Sequence, residues 1–562
     1  MSPQLEALPY EIQQFILEYL DATHPASLTA LACASKNLFA TVKPFLFRTI
    51  RFSVKDIRDY NRIQPDRISI AVQEYSKLLK HYNSAEYVQN LIIGGDISEY
   101  DYRERGLRSQ NGDFGPYHWK QSKISHVDRL TLASADGEVC DEPDPVRHMS
   151  RADYSKPDAC YNDNPAWKPL AEFIKMLPGL KHLVYNYFSQ FPPCLLEVLH
   201  NNLPGCKLHL YTFSMRSVPL LDDYETKLIT SPCLTSIRIV CKVDTRRGTD
   251  FELGHPADHA MRHAIVLAPA LNRVHIDVCR GGGARRIFLE PRIIPTTVCP
   301  SAPKSLDVRN SLHSLRLRFV ISANRELVKR WTARIDFSKL KVLGLTGNIN
   351  ADTLDYMGSS YQFPSLRSLF IRYTLHDSAW VSGESLKRFL DRLPPLLSLT
   401  VSFSRSGLDV DGIAKHHGAA LRRLTINNPH LNEYDLKCLA KYCPHLEYLK
   451  LGLKRTWGDA NEIALYKALG SIPRLVDLDL SLNAPDRNLR GTDAPDFSDD
   501  DRFDKFHRKY CTLRSGFRDE HTEYIKNGYV RDQLMNCALD KDLACAIFRA
   551  ISAGKPKDIG RE

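Results

Sequence analysis

The sequence predicts an α/β chain: a short N-terminal three-helix domain and, after it, a long solenoid of strand-plus-helix repeats. Three observations carry that prediction. A phrase of the form Leu-x-x-Leu-x-Leu, with Ile or Val at some positions, returns ten times between Leu180 and Leu480. From Leu312 onward the first leucines of successive phrases stand 28, 26, 30, 25, 25 and 29 residues apart, the spacing of one repeated supersecondary unit. The residues before 50 instead show an apolar pattern with a period near four, which belongs to helices.

In that N-terminal stretch Ile12, Ile16 and Leu20 recur every four residues, and Phe15 and Leu17 widen the stripe. Pro9 suits a first helical turn, where its missing N–H costs little. Pro25 can open a second helix in the same way, carrying Leu28, Leu31 and Ala32. Pro44 is expected to close a third, because its ring clashes with the preceding turn. Three short helices enclose too small a core to be stable alone. Part of their apolar surface should therefore have a partner.

Taken in order, these residues carry a resemblance. The run Leu8-Pro9-Tyr10-Glu11-Ile12, then Ile16-Leu17 and Leu20, then Ala34-Ser35-Lys36-Asn37-Leu38, then Phe45-Leu46-Phe47-Arg48-Thr49-Ile50 resembles the F-box of many fungal proteins. Members often carry a bulky aromatic after the Ser-Lys pair, where this chain has Leu38-Phe39. The resemblance covers residues 5–50. It implies an adaptor-binding domain over 1–50 that docks onto a Skp-type adaptor within a cullin complex, a RING-type ubiquitin ligase. Leu8, Pro9, Ile12, Ile16, Leu17, Leu20 and Leu31 would form that interface or support its shape. The alternative is an amphipathic three-helix cap on the domain that follows.

Residues 51–85 read as a helical connector, with Ile70, Val72, Tyr75, Leu78, Leu79 and Tyr82 at helical spacing in a helix expected over 65–90. Residues 86–484 form the predicted leucine-rich-repeat-like α/β solenoid. In each phrase the last two apolar positions are two apart and so share one face of a short strand. Helical segments such as Glu384–Leu393 and Tyr434–Cys443 fall between phrases. Each unit can bury its apolar face only by stacking on its neighbours, so Leu343, Leu369, Leu424, Leu449 and Leu478 are expected to be buried. The N-terminal half is less regular. Weaker phrases begin at Val88 and Val127, gaps of 39, 53, 54, 37 and 41 residues separate the phrases from Val88 to Leu312, and polar stretches at 96–120, 134–168, 243–258 and 280–310 fill them. Residues 485–562 read as a polar segment and a C-terminal helical cap, with Leu534, Leu539, Leu543, Ile547 and Phe548 on one face.

Composition narrows the function. Of 562 residues 43% are hydrophobic and 25% charged, which describes a chain with ample material for a core. The net charge of +10 is the difference between 76 basic and 66 acidic residues. The surface is therefore mixed, and without dense Lys/Arg runs nucleic acid is an unlikely partner. No apolar run reaches membrane-spanning length and no secretory pattern opens the chain. Fourteen scattered cysteines without a C-x-x-C pair suit reduced thiols in the cytoplasm or nucleus.

Chemical motifs are weak throughout. His255, His259 and His263 are spaced by four, but Pro256 interrupts the first turn and no further ligand context accompanies them. The turn at Gly281-Gly282-Gly283 lacks the Gly-Lys-Ser/Thr ending of a nucleotide loop, and Asp499-Asp500-Asp501 reads as a solvated acidic run. No nucleophile elbow or other local catalytic signature is present. The expectation is a protein that is not an enzyme, with no cofactor and no metal.

The strand residues flanking each buried pair point to the opposite face. They read Arg273, His275 and Asp277; Ser314, Arg316 and Arg318; Ser368, Phe370 and Arg372; Arg423 and Thr425; Tyr448 and Lys450; Asp477 and Asp479. Arg and aromatic side chains dominate protein interfaces, and a basic lane can accept an acidic or phosphorylated segment. Arg273, Arg316, Arg318, Phe370, Arg372, Arg423, Tyr448 and Lys450 are thus the candidate substrate-binding residues. The function expected is a substrate-recruiting subunit of an SCF-type ubiquitin ligase holding an unidentified protein substrate. The alternative is a protein-interaction scaffold that assembles no ligase.

Overall fold

The computed structural model describes residues 5–53, 65–94, 164–186, 190–214, 217–218, 221–243, 256–280, 292–293, 312–323, 325–372, 383–402, 408–427, 431–456, 458–483 and 538–555. The chain divides into two compact units, residues 1–321 with 326–340 and residues 322–325 with 341–562. In the first unit three N-terminal helices precede α/β repeats whose strands pair in parallel; the second unit consists of such repeats and a C-terminal helix.

In the first unit α1 (Tyr10–Thr23), α2 (Pro25–Ala32) and α3 (Lys36–Leu46) form where the period-four pattern lies. Pro25 stands in the first turn of α2. Ser35 caps α3, its Oγ accepting from the Leu38 N–H at 3.0 Å and donating to the Glu6 carboxylate. Helix α3 does not stop at Pro44, as the sequence suggests, but runs on to Leu46. Pro44 sits in the last turn, where few hydrogen bonds remain to be lost, and the buried side chains of Val42 and Phe45 hold that turn in place.

Two residues further on, β1 (Thr49–Ser53) pairs in parallel with β2 (Asn90–Gly94), setting Ile50 opposite Leu91 and Phe52 opposite Ile93. Thr49 and Ile50, the end of the N-terminal motif, thus already belong to the sheet. Between the two strands α4 (Pro65–Tyr82) stops well short of residue 90. Asn83 takes a left-handed φ of 46°, which ends the helix, and β2 begins at Asn90. Val72 and Leu79 are buried and the Tyr75 hydroxyl donates to the Arg51 carbonyl at 2.9 Å, while Ile70 and Leu78 face solvent.

Strand β2 bonds directly to β3 (His182–Asn186), and the parallel order continues through β4 (Lys207–Ser214), β6 (Leu234–Val243), β7 (Arg273–Arg280) and β9 (Ser314–Ala323). A separate pair joins β5 (Ser217–Val218) to β8 (Arg292–Ile293). Among the described residues of this unit, the helices after α4 are α5 (Asn164–Lys175), α6 (Pro193–Asn202), α7 (Asp223–Ile229), α8 (Pro256–Leu267) and α9 (Arg325–Thr332). The phrase at Val127 lies outside the described residues, as do residues 96–120, 281–286 and 499–501 and most of 134–168, 243–258 and 280–310.

Strand β4 answers to none of the ten phrases. Pro204-Gly205-Cys206-Lys207 repeats Pro178-Gly179-Leu180-Lys181, with buried Cys206 in place of the leading leucine and one residue fewer before the next. Counted as a repeat, it splits the 54-residue gap after Leu180 into 26 and 28. Repeat spacing therefore holds there too, hidden by one substitution and one deletion.

The second unit is more regular. It runs β10 (Val342–Ile349), α10 (Ala351–Ser360), β11 (Ser368–Arg372), α11 (Gly383–Asp391), β12 (Ser398–Ser402), α12 (Val410–His417), β13 (Arg423–Asn427), α13 (Glu433–Tyr442), β14 (Tyr448–Lys454), α14 (Ala460–Gly470) and β15 (Asp477–Asn483). Register aligns Leu343, Leu369, Leu399, Leu424, Leu449 and Leu478 in one ladder, and Leu345, Ile371, Val401, Ile426, Leu451 and Leu480 in another. Both ladders are buried from β10 through β14. Leu478, expected to be buried, is only half-buried, as is Leu480. Among the described residues β15 is the last strand of the unit, and no further repeat stacks on it.

Four of the strand-to-helix crossings use the same device. Asn350, Asp409, Asn432 and Asp459 accept from the backbone N–H groups of Thr353, Gly412, Asp435 and Glu462 at 2.8–3.1 Å, capping α10, α12, α13 and α14. Such a cap contributes about 1 kcal/mol. Glu462 also closes the turn before α14. Its carboxylate accepts from the N–H groups of Thr456 (2.6 Å) and Gly458 (2.9 Å) and from the Tyr466 hydroxyl (2.8 Å), with Arg455 Nε 3.4 Å away. Burial alone would raise its pKa, but these donors and the Arg455 charge outweigh it and hold the carboxyl below its ordinary value.

The C-terminal helix α15 (Lys541–Ala553) packs on α14. A Cβ on Gly470 would stand 1.9 Å from the Ile551 carbonyl oxygen, and one on Gly554 would stand 1.9 Å from that of Lys467. Backbone lies on backbone at both glycines. Leu543 and Ile547 are half-buried and Leu539 and Phe548 exposed, while Leu534 lies outside the described residues.

Two expectations follow. Leu449→Ala should cost roughly 2–5 kcal/mol through lost transfer energy and a cavity. Hydrogen exchange should then speed up in β13 and β15 as well as β14, because neighbours hold each other. Gly470→Val should free α15, read as loss of amide protection over 541–553 while β12 and β13 keep theirs.

Candidate functional site

Helix α1 is apolar on two sides. On one, Leu17 joins Leu28, Val42 and Phe45 in a small core, and Leu20, Leu31, Ala32 and Leu46 pack against it. On the other, Ile12 (47% exposed), Phe15 (70%) and Tyr19 (61%) stand in solvent; Tyr10 (65%), at the helix start and on the Leu17 side by angle, is exposed as well. At about 100° per residue, Ile12, Phe15 and Tyr19 fall within an arc of about 60° opposite Leu17. Grouped large apolar side chains in solvent mark an interaction surface.

The sequence-predicted adaptor set is divided by this geometry. Leu17, Leu20 and Leu31 lie in or against the core of the three helices; Leu8 and Ile16 are half-buried; Pro9 and Ile12 are exposed. Tyr10, Phe15 and Tyr19 were absent from that set. The helical angle of Phe15 and Tyr19 relative to Leu17 was the signal that could have found them. Two side chains fix the frame around the stripe. Gln13 Nε2 donates to the Leu8 carbonyl at 2.8 Å, setting the entry into α1. Arg48 pairs with Asp21 at 3.2 Å and lies over the Phe45 ring at 4.7 Å, tying the lead into β1 to α1.

The strand-face candidates fall into two groups. In the first unit, register sets Arg238, His275 and Arg316 side by side on β6, β7 and β9, with Ser236, Arg273 and Ser314 in the row before and Asp277 opposite Arg318 in the row after. Arg238 is only 4% exposed, and Arg273, His275, Arg316 and Arg318 are half-buried. Beside them His182 Nδ1 and His209 Nε2 lie 3.1 Å apart with the rings stacked, and His209 Nδ1 is 2.9 Å from Ser236 Oγ. Burial first, then the positive charges of His182, Arg273 and Lys207, pushes the His209 pKa down to about 3, so its ring is neutral at physiological pH. Arg238, His182 and His209 were not among the predicted residues, although Arg238 sits between the last two apolar positions of its own phrase.

In the second unit, Arg423 and Tyr448 engage each other, the guanidinium standing 4.8 Å from the ring centre. Lys450 Nζ pairs with Asp479 at 2.5 Å, the two residues being in register on β14 and β15. Phe370 and Arg372 are half-buried on β11, and Phe370, Thr400, Thr425 and Lys450 share one cross-strand row whose two threonines are buried.

Of the histidine trio, His259 and His263 lie on α8 and His255 is outside the described residues. Among the described residues no group of three or more His, Cys, Asp or Glu could hold a metal ion. Burial pushes the Cys206 and Cys443 thiols up to about 12, so both are protonated at neutral pH. Among the described residues no helix is long and apolar enough to cross a membrane. No family model matches the chain, and none of the curated proteins matches it in sequence.

The two faces of α1 should respond differently to truncation. Leu17→Ala is expected to cost roughly 2–5 kcal/mol in unfolding free energy, and Phe15→Ala to stay within about 0.5 kcal/mol of the parent. Paired chemical-denaturation curves check the contrast.

Proposed function

We propose that the chain is a protein-recruiting scaffold whose N-terminal helices dock onto a Skp-type adaptor and whose α/β repeats hold a protein substrate. It would thereby serve as the substrate-recruiting subunit of an SCF-type cullin–RING ubiquitin ligase. The observation that carries this reading is the solvent-facing stripe of Ile12, Phe15 and Tyr19. The other side of α1 already packs against α2 and α3, so the stripe contributes nothing to that small core. The order of the F-box-like motif over the same residues names the class of partner.

The mechanism is proximity. An anchored repeat array holds a protein beside a charged ubiquitin-conjugating enzyme and raises the effective concentration of its lysines, with no catalytic group of its own. In this reading the protein has no cofactor and works in the cytoplasm or nucleus.

Purified Skp-type adaptor, alone and bound to cullin, tests the proposal. The intact chain should capture both. Exposed apolar anchors at such interfaces each contribute about 2 kcal/mol or more, so Phe15→Glu with Tyr19→Glu should reduce capture by about thirtyfold or more. Leu8→Ala with Pro9→Ala should do the same, while thermal melts stay at the parent value. Capture unchanged in both double variants would overturn the adaptor assignment. Capture of adaptor but never of the cullin complex would point instead to a scaffold outside the ligase.

A further inference from the structure

We propose that the strand face of β6, β7 and β9 is a docking surface for an acidic protein segment, an extended run rich in Asp and Glu. Arg273, His275, Arg316 and Arg318 receive it, and Arg238 forms its floor. The inference deepens the substrate-holding role given to the repeats and rests on that reading.

Register is the first argument. Arg238, His275 and Arg316 occupy one cross-strand row, with Arg273 one row before and Arg318 one row after. Arg238 and Arg316 flank His275 in that row, and burying a guanidinium as deeply as Arg238 has a desolvation cost. The only acidic residue in register within these rows is Asp277, opposite Arg318. These side chains have contacts of their own within the protein. In residue type the three rows hold four arginines against one aspartate, and that basic composition, concentrated on one face, selects a partner.

The second unit shows what this kind of face accepts. There the cross-strand row ends in Lys450 against Asp479, an ammonium and a carboxylate paired across adjacent strands at 2.5 Å. The corresponding positions of β6, β7 and β9 hold Arg238, His275 and Arg316, with no carboxylate in register among them.

Spacing decides the class of anion. Neighbouring rows lie about 6.6 Å apart along the strands and neighbouring strands about 4.8 Å apart, so the charge is spread rather than focused on a point. Alternate side chains of an extended peptide repeat at the same interval of about 6.6 Å. A line of single carboxylates matches this array, whereas one phosphoryl group would engage only part of it. The nine register positions of these three rows hold no Phe, Tyr or Trp on which a nucleic-acid base could stack.

The test uses the full-length chain, a fluorescent alternating Glu-Ser decapeptide, a serine-rich peptide with one phosphoserine, and a short DNA duplex. The decapeptide should bind more tightly than the other two and lose affinity as salt rises. Arg316→Gln with Arg318→Gln should weaken it by about tenfold or more without moving the thermal melt. Lys437→Gln, on the exposed side of α13 in the second unit, should leave it unchanged. Decapeptide binding indifferent to the double variant overturns the proposal, as does tighter binding of the phosphopeptide or the duplex. Adaptor capture is measured on the same preparations. Loss of capture with peptide binding intact counts against the ligase reading alone, and the reverse counts against this surface alone.

Discussion

The side-by-side stacking of leucine on leucine across parallel strands is the constraint on which the rest of the structure depends. In the second unit Leu343, Leu369, Leu399, Leu424 and Leu449 are each 2% exposed or less, and each lies opposite the next. A short strand cannot bury such a side chain by itself, so every repeat draws its stability from the one before and the one after. The same dependence explains β15, where the ladder continues in register but Leu478 and Leu480 are only half-buried.

Four polar side chains of the second unit sit where the ladder gives way to a helix start. Asn350, Asp409, Asn432 and Asp459 each supply an acceptor at a helix start, where N–H groups lack intrahelical partners. Glu462 extends the device by accepting two backbone N–H groups and a tyrosine hydroxyl at once. Once the backbone is satisfied in this way, the opposite strand face is free to vary. That freedom produces the Arg238–His275–Arg316 row in one unit and the Lys450–Asp479 and Arg423–Tyr448 pairs in the other.

The three N-terminal helices meet the opposite problem. Their core consists of Leu17, Leu28, Val42 and Phe45 with a few half-buried neighbours. The sheet begins directly after them, with β1 following α3 and Arg48 tied to both Asp21 and Phe45. Helix α1 can therefore present Ile12, Phe15 and Tyr19 to solvent while its inner face stays anchored. A partner surface of this kind needs a rigid base, and the coupling to the first strand provides one.

Local pattern by itself determined the α/β class, the three helices, every strand of the second unit and, Leu478 excepted, the expected residues of its buried ladder. Period and spacing are properties of a chain read a few residues at a time, and both survive without tertiary information. Tertiary structure decided the rest. Strand β4 was hidden because Cys206 replaces a leucine and one residue is missing, and only pairing with β3 and β6 makes it a repeat. Pro44 stayed inside α3 because Val42 and Phe45 pack beneath it. The face of α1 turned toward solvent depended on which side α2 and α3 covered, which the helical period cannot choose. The Arg238–His275–Arg316 row needed register, since its residues are far apart in sequence and become neighbours only when three parallel strands align.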